Sequence, residues 1–329
     1  MALAAAPKSI ADRPVGSVGY GMMNLTLFGN ISHDESTAPL KTALDNGANF
    51  WNAATFYGPP NAHSLHLLKH YFTQYPKDAS RVFLSVKGAY DGATQTPRCS
   101  PEDVRASVEE SLRVLDGTKS IDLFACARLD PKVAIEITVA TLAQLIQEGK
   151  IGSYGLSEVN AETIRRAHAI HPVAAVEAEL SLFSRHVLEK GGVADTCREL
   201  GIPLVGYSPL DRGWLTGQVR TLDDLPADDF RRHYPRFQPG NFEKNVKLAA
   251  RVEQVAKKKG CTSAQVAIAW VRAQGVLPIP GATKPPRVIE NCKIVELTDA
   301  ELAELEQAVR LTEVSGDRYP AMFHEFLAK

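Results

Sequence analysis

Long apolar runs are missing from this 329-residue chain, and no stretch approaches the roughly 20 residues that a bilayer-spanning helix needs. Cysteine is scarce and shows no pairing pattern. Cys99, Cys126, Cys197, Cys261 and Cys292 are odd in number and widely scattered, with no C-x-x-C pair. That argues against a disulfide framework and against a zinc site, and predicts buried thiols in a reduced, cytoplasmic setting. An excess of one charge is lacking too. The 37 Lys and Arg balance 38 Asp and Glu for a formal net charge of −1. Such a balance gives no electrostatic ground for a nucleic-acid or anionic-membrane partner. The opening MALAAAPKSIADRP has no basic segment followed by a long apolar core, so it is read as carrying no secretory leader. Nor does G-x-G-x-x-G, the phosphate-binding turn of open dinucleotide-binding sheets, follow the first strand candidate.

What is present is a regular alternation. Short β-rich runs occur at SVGYG near 17, ANFWNAA near 48, VFLSVKG near 82 and IDLFACAR near 121. IGSYGLSEV near 151, AAVEAELSL near 174, IPLVGYSPL near 202 and VLPIPGA near 276 complete the series. Helical patterns of 3.6-residue period separate them, among them VAIEITVATLAQLIQEGK and SAQVAIAWVRAQG. SPEDVRASVEESLRVLDG is the best delimited, with Ser100 as N-cap, Pro101 in the first turn and Gly117 at the end. Eight strands, each followed by helical sequence, predict parallel pairing and closure into a single (β/α)8 barrel domain spanning 1–329. Composition agrees with a globular α/β chain, at 44% hydrophobic and 23% charged. Residues 211–240 lack a sustained period and predict a long loop after strand seven, of the kind that is usually functional. The tail ending RYPAMFHEFLAK is either a segment folded over the same face or a surface extension. No pattern specifies an oligomeric state.

In a barrel the site lies where the strands end at their carboxyl side. The sequence puts Asn52 and Tyr57 there after strand two, Lys87 after strand three, and Ala127 and Arg128 after strand four. Ser157 and Glu158 follow strand five, Glu177 lies at strand six, Tyr207 and Ser208 at strand seven, and Gly281, Thr283, Lys284 and Arg287 after strand eight. A tyrosine beside a lysine is a working acid, because the cation favours phenolate and eases proton transfer to a developing alkoxide. Tyr57 and Lys87 are therefore the candidate catalytic pair. Trp214, Tyr234 and Phe237 fit the lining of a substrate mouth, and a packed loop would look the same. His66 and His70, four apart with no third ligand in view, are expected on an ordinary helix surface rather than in a metal site.

The runs FWNAATFYG, LSVKG, IDLF-xx-R-x-D-P, GKIGSYGLSEV, GYSPLDRGWLTG and PIPGATKPPRVIEN, in that order, resemble the aldo-keto reductase family from about Gly19 to the early 290s. The resemblance implies a barrel that binds NADP(H) and passes hydride to a small-molecule carbonyl while a tyrosine donates the proton. It places Tyr57 as general acid and Lys87 as its partner, Ser157 at the nicotinamide carboxamide and Tyr207 against the nicotinamide face. Ser208, Leu210, Arg212 and Gly213 fall in the pyrophosphate-facing segment. Gly281 and Thr283 are counted among the cofactor-binding residues, and Lys284 and Arg287 fall where the family grips the 2′-phosphate, with Glu290 and Asn291 toward the adenine. Two cations at a phosphate dianion favour NADP over NAD.

Four positions depart from the family pattern. Asn52 stands in place of an aspartate and Ala127 in place of a histidine, while Glu158 and Glu177 replace an Asn and a Gln at the carboxamide. Asn52 is expected to orient Lys87 without neutralising it, leaving a buried ammonium uncompensated. Loss of one oxyanion donor at Ala127 slows turnover by roughly 10² to 10³ without abolishing it. These departures, with GLSEV and AAVEAELSLFSR, resemble the fungal pyridoxal reductase branch, which implies reduction of pyridoxal to pyridoxine with NADPH. A general aldehyde or ketone reductase, a cofactor-sensing module similar to potassium-channel beta subunits, and a Schiff-base enzyme using Lys87 are the alternatives.

Overall fold

The computed structural model describes residues 6–28 and 31–327. Residues 1–5, the start of the stretch read above for a leader, and the last two residues of the tail lie outside that range.

Eight parallel strands form one sheet in chain order: β1 (Tyr20–Gly21), β2 (Phe50–Ala54), β3 (Phe83–Gly88) and β4 (Leu123–Cys126), then β5 (Tyr154–Ser157), β6 (Ala175–Glu179), β7 (Leu204–Tyr207) and β8 (Leu277–Pro278). The sheet closes on itself. The Gly19 amide donates to the Pro278 carbonyl at 2.9 Å and the Gly21 amide to that of Pro280 at 3.2 Å. Closure brings backbones so near that a Cβ on Gly21 would lie 2.8 Å from the Ile279 carbonyl oxygen, and one on Gly281 equally near that of Gly21. The fold is the (β/α)8 barrel that the alternation predicts.

The strands are covered by α1 (His33–Asp45), α2 (Ser64–Gln74), α3 (Pro101–Leu115), α4 (Ile135–Gln147), α5 (Ala161–Ile170) and α6 (Val193–Leu200). Beyond β7 follow α7 (Phe242–Lys259), α8 (Ser263–Ala273), α9 (Pro285–Cys292) and α10 (Asp299–Leu311). Local chemistry sets these boundaries. Ser100 accepts from the Asp103 amide to cap α3, and left-handed Asp116 ends it just before Gly117. Reciprocal Ser–Glu, Thr–Gln and Thr–Glu capping pairs start α1, α8 and α10.

Strand period two sorts the core into two layers and then builds the site. Phe50, Phe83, Leu123, Ala125, Ala175, Val205 and Leu277 fill the barrel interior, with Ile10 of a short amino-terminal hairpin closing its base. Their neighbours Trp51, Leu84, Phe124, Leu156 and Val176 point outward into the larger core against the helices. Continuing the inward series toward the carboxyl ends replaces apolar residues by polar ones on β2, β3, β6 and β7, while β4 stays apolar. Phe50 leads to Asn52, Phe83 to Ser85 and Lys87, Ala175 to Glu177 and Glu179, Val205 to Tyr207, and Leu123 to Ala125 and Ala127.

Residues 211–240 are a chain of 3-10 turns rather than an open loop: Asp211–Thr216, Leu222–Asp224, Phe230–His233 and Pro235–Phe237. For Trp214 and Phe237 the packed loop is the reading that holds: both are fully buried and pack on each other, with Trp214 also against Phe183 and Phe242. A large apolar side chain in a long polar loop is what anchors that loop, so burial wins over display. Tyr234 does remain half-exposed, with the Arg212 guanidinium over its ring. No helix among the described residues is long and apolar enough to cross a membrane.

Candidate active site

Lys87 is buried to 3% exposure at the end of β3. Its Nζ donates to Asn52 Oδ1 at 2.6 Å and to Glu177 Oε1 at 2.5 Å. Asn52 Nδ2 in turn donates to Glu177 Oε2 at 2.7 Å, closing a three-membered ring of contacts from β2, β3 and β6. The expectation of an uncompensated ammonium is therefore overturned: the carboxylate absent from position 52 is supplied from position 177. Burial by itself would lower the lysine pKa, but the Glu177 charge overrides it and holds Lys87 above its ordinary value. Glu177, expected at the cofactor, is fully engaged with Lys87 and Asn52.

Tyr57 lies on the β2–α2 loop, with its ring centroid 5.3 Å from Lys87 Nζ. Its carbonyl accepts from Thr26 Oγ1 at 2.6 Å and from the Ser64 amide at 3.0 Å. Gly58, at φ +115°, makes the turn behind it, where a Cβ would meet the Thr26 carbonyl oxygen at 2.9 Å. Phe56 packs edge-on against Tyr57 and continues to Tyr90.

Across the mouth, the carboxyl ends of β5, β6 and β7 carry a second polar cluster. Ser157 is buried beside Glu177 in the strand register, and its Oγ has no hydrogen-bond partner. Glu158, left-handed at φ +52°, accepts from the Glu179 amide and the Tyr207 hydroxyl, each at 3.0 Å. Arg318 of the tail bridges Glu158 and Glu179 at 3.2 and 3.3 Å. Arg212 pairs with Glu179 and Asp211, and Arg236 with Asp211. Burial would raise the Glu158 and Glu179 carboxyl pKa values, but Arg318 with Arg128, and Arg212 with Arg318, bring them below the usual range. Asp211 goes the other way, raised by burial against the pull of Arg236 and Arg212. Tyr319 completes the cluster, its hydroxyl 3.1 Å from that of Tyr207.

The tail thus folds over the carboxyl face, the first of its two expected courses. Glu179, Arg236, Arg318 and Tyr319 escaped the sequence reading. For Glu179 a signal was present: in AVEAE the two glutamates are two apart on a strand and must share a face.

The nucleotide-facing candidates form a third group. Ser208, Leu210, Arg212 and Gly213 follow β7, and left-handed φ at Ser208, Asp211, Arg212 and Gly213 turns the backbone sharply there. Gly281 and Thr283 follow β8. Lys284 stands at the N-cap position of α9 without a side-chain capping bond and Arg287 lies in its first turn, both exposed and neither in an ion pair among the described residues. Glu290 and Asn291 end the same helix, with Asn291 buried. Among the described residues no group of three or more His, Cys, Asp or Glu is placed to hold a metal. The orphaned Ser157 hydroxyl and the unpaired Lys284 and Arg287 fit a ligand carrying both an amide and a phosphate.

Residues 17–310 match the family model described as aldo/keto reductase family. The chain belongs to that family. The aldo/keto reductase assignment is seconded by probable pyridoxal reductase 2 of Schizosaccharomyces pombe, 43% identical over 93% of this chain and 95% of that protein. Probable aldo-keto reductase 1 of Glycine max is 39% identical over 93% and 88% of the two chains. Among solved structures, a glycerol dehydrogenase from Gluconobacter oxydans superposes with TM-score 0.82 at 26% identity, covering 96% of this chain and 97% of that one. The chain is thus an oxidoreductase of the aldo/keto reductase type, a family that acts on small molecules with NAD(P)H.

Proposed function

We propose that this aldo/keto reductase is one domain that reduces an aldehyde with NADPH, and that its substrate is pyridoxal, which becomes pyridoxine. The observation that carries the catalytic part is the ammonium of Lys87, held charged by Glu177 and Asn52 with the Tyr57 ring 5.3 Å away. Tyr57 gives its phenolic proton to the carbonyl oxygen as the carbon is reduced. Lys87 stabilises the phenolate left behind, and Asn52 and Glu177 fix the ammonium toward it.

When bound, NADPH supplies the hydride. Ser157 is the residue to hold the carboxamide of the nicotinamide, Tyr207 to lie against its ring, and Ser208 through Gly213 to face the pyrophosphate. Lys284 and Arg287 take the 2′-phosphate, with Gly281 and Thr283 shaping the approach and Glu290 and Asn291 toward the adenine. Glu158 acts on the site through Tyr207 and Arg318 rather than by touching the carboxamide, since its oxygens are already engaged.

The pyridoxal reading is supported by the printed name of the fission-yeast relative. The test is NADPH oxidation by the purified protein with pyridoxal beside simple aldehydes. Faster turnover of pyridoxal than of the others supports the reading; turnover of simple aldehydes alone removes the substrate assignment, and no turnover of any carbonyl removes the reductase.

A further inference from the structure

The mouth of the barrel gathers five cationic side chains, and four of them are matched. Lys87 is bonded to Glu177, Arg318 to Glu158 and Glu179, Arg212 to Glu179 and Asp211, and Arg236 to Asp211. Arg128 is the fifth. It follows Ala127 at the end of β4, half-buried, and no carboxylate of the described residues comes within ion-pair distance of it. Its one side-chain hydrogen bond runs from Nη1 to the Ala127 carbonyl at 2.7 Å, which leaves most of the five guanidinium donors unused.

The titratable groups that act electrostatically on Arg128 are Tyr207, Tyr319, Glu158 and Tyr57, and Arg128 acts in turn on Tyr90; the Glu158 carboxylate is already held by Arg318. Withdrawing a guanidinium from water without an ion-pair partner is costly, so a retained, unmatched one calls for an anion from outside the protein. The neighbouring surfaces narrow its form. Ala127 beside the arginine is fully buried and carries no polar side chain, and half-buried Phe56 meets Tyr57 edge-on and Tyr90 at a tilt, with ring centroids 5.1 and 4.8 Å away. An aromatic ring packs on such a cluster edge-on or tilted, and an acidic oxygen on that ring is the partner an unmatched guanidinium takes.

We propose that Arg128 binds an ionised oxygen carried by the substrate beside its carbonyl, so that the enzyme selects aromatic aldehydes with an acidic hydroxyl ortho to the aldehyde. This rests on the carbonyl-reductase reading and narrows its substrate class. The planar fork of a guanidinium spans two neighbouring oxygens, so one arm holds the phenolate while the other donates to the aldehyde oxygen next to it. Neutralising the phenolate also restrains it from feeding its charge into the carbonyl, which would make the carbon a poorer hydride acceptor. The carbonyl carbon gains a hydride from the reduced nucleotide, its oxygen gains the Tyr57 proton, and the phenolate on Arg128 leaves unchanged.

Two measurements on the whole protein test this. In the first, kcat/KM at saturating NADPH is compared for 2-hydroxybenzaldehyde, 4-hydroxybenzaldehyde and benzaldehyde in the wild type, R128K and R128Q. The wild type should prefer the 2-hydroxy isomer. R128Q should lose roughly 10- to 100-fold more on the 2-hydroxy isomer than on benzaldehyde or the 4-hydroxy isomer, the worth of one charge-assisted hydrogen bond, because all three lose the donor to the aldehyde oxygen and only the first loses the partner of its phenolate. R128K, which keeps the charge without the fork, should fall between.

In the second, 2-hydroxybenzaldehyde is titrated into the protein with NADP⁺, where reduction does not occur, below the pKa of the free phenol. The wild type should bind the ionised form, which absorbs at longer wavelength, and R128Q the neutral one. Equal losses on all three aldehydes, or a neutral phenol bound by the wild type, overturn the proposal. Should the wild type reduce no aldehyde, the reductase reading fails on its own, and the absorbance of the bound phenol still decides the role of Arg128.

Discussion

Lys87 and Glu177 stand 90 positions apart on strands that do not neighbour each other, yet Nζ and Oε1 are 2.5 Å apart inside the barrel. The relationship explains how a site without an aspartate at position 52 keeps its lysine charged. Set against the Asp and Gln that the resemblance expects at 52 and 177, the amide and the carboxylate stand on each other's strands, and the ammonium meets one of each. Removing the carboxylate strands a buried charge, which typically costs about 3–5 kcal/mol. Glu177→Gln should therefore destabilise the protein by that order and lose most carbonyl reduction. The double variant Asn52→Asp with Glu177→Gln restores one acid and one amide around Lys87 and should recover both. Chemical denaturation and turnover measured on all three proteins check this; a double variant no better than Glu177→Gln would break the account.

Ser157 offers a cleaner separation of folding from binding. Its hydroxyl is buried without a partner, so Ser157→Ala forfeits no protein hydrogen bond and should leave the thermal midpoint unchanged or slightly raised. If the hydroxyl serves the nicotinamide carboxamide, the same variant binds NADPH about tenfold more weakly, near 1.4 kcal/mol. Fluorescence titration with NADPH and a melting curve on one preparation settle both halves.

Lys284 and Arg287 are exposed and outside any ion pair among the described residues, so replacing them disturbs little of the fold. Lys284→Ala or Arg287→Ala should weaken NADPH much more than NADH, because only NADPH carries the 2′-phosphate. Equal weakening of the two nucleotides removes that assignment.

The legible and illegible parts of this molecule divide along a physical line. Strand and helix order, the Ser100 cap and the inward set of Asn52, Lys87 and Glu177 follow from local period and cap chemistry, and they were readable. Which carboxylate neutralises Lys87 depends on distance across the barrel, which no local pattern expresses. The same holds for Arg318 and Tyr319, brought to Glu158 and Tyr207 by a tail whose course a sequence pattern left open. Trp214 stays open in sequence because an aromatic residue in a polar loop reads alike whether it anchors the loop or faces the substrate; only burial tells them apart.

Acid should weaken the fold through histidines near Tyr57. His63 caps α2 by accepting from the Leu65 amide, and burial first, then His66, pushes its pKa down to about 4; burial also lowers His33 and His66. A group whose folded pKa is depressed binds more protons when unfolded, so its contribution is complete above about pH 6.5 and declines as the pH falls toward 4. The melting midpoint should drop across that window. His63→Asn, which can still cap but does not titrate, should flatten the profile; an unchanged slope would assign the loss to other groups.

The central claim is that Tyr57 is the proton donor, served by Lys87. The most direct measurement is NADPH oxidation with pyridoxal by wild type and Tyr57→Phe, alongside NADPH binding to each. The account predicts that Tyr57→Phe binds NADPH as the wild type does and loses nearly all reduction, a fall of roughly 10² or more for a missing general acid. A Tyr57→Phe protein that turns over at the wild-type rate would contradict it.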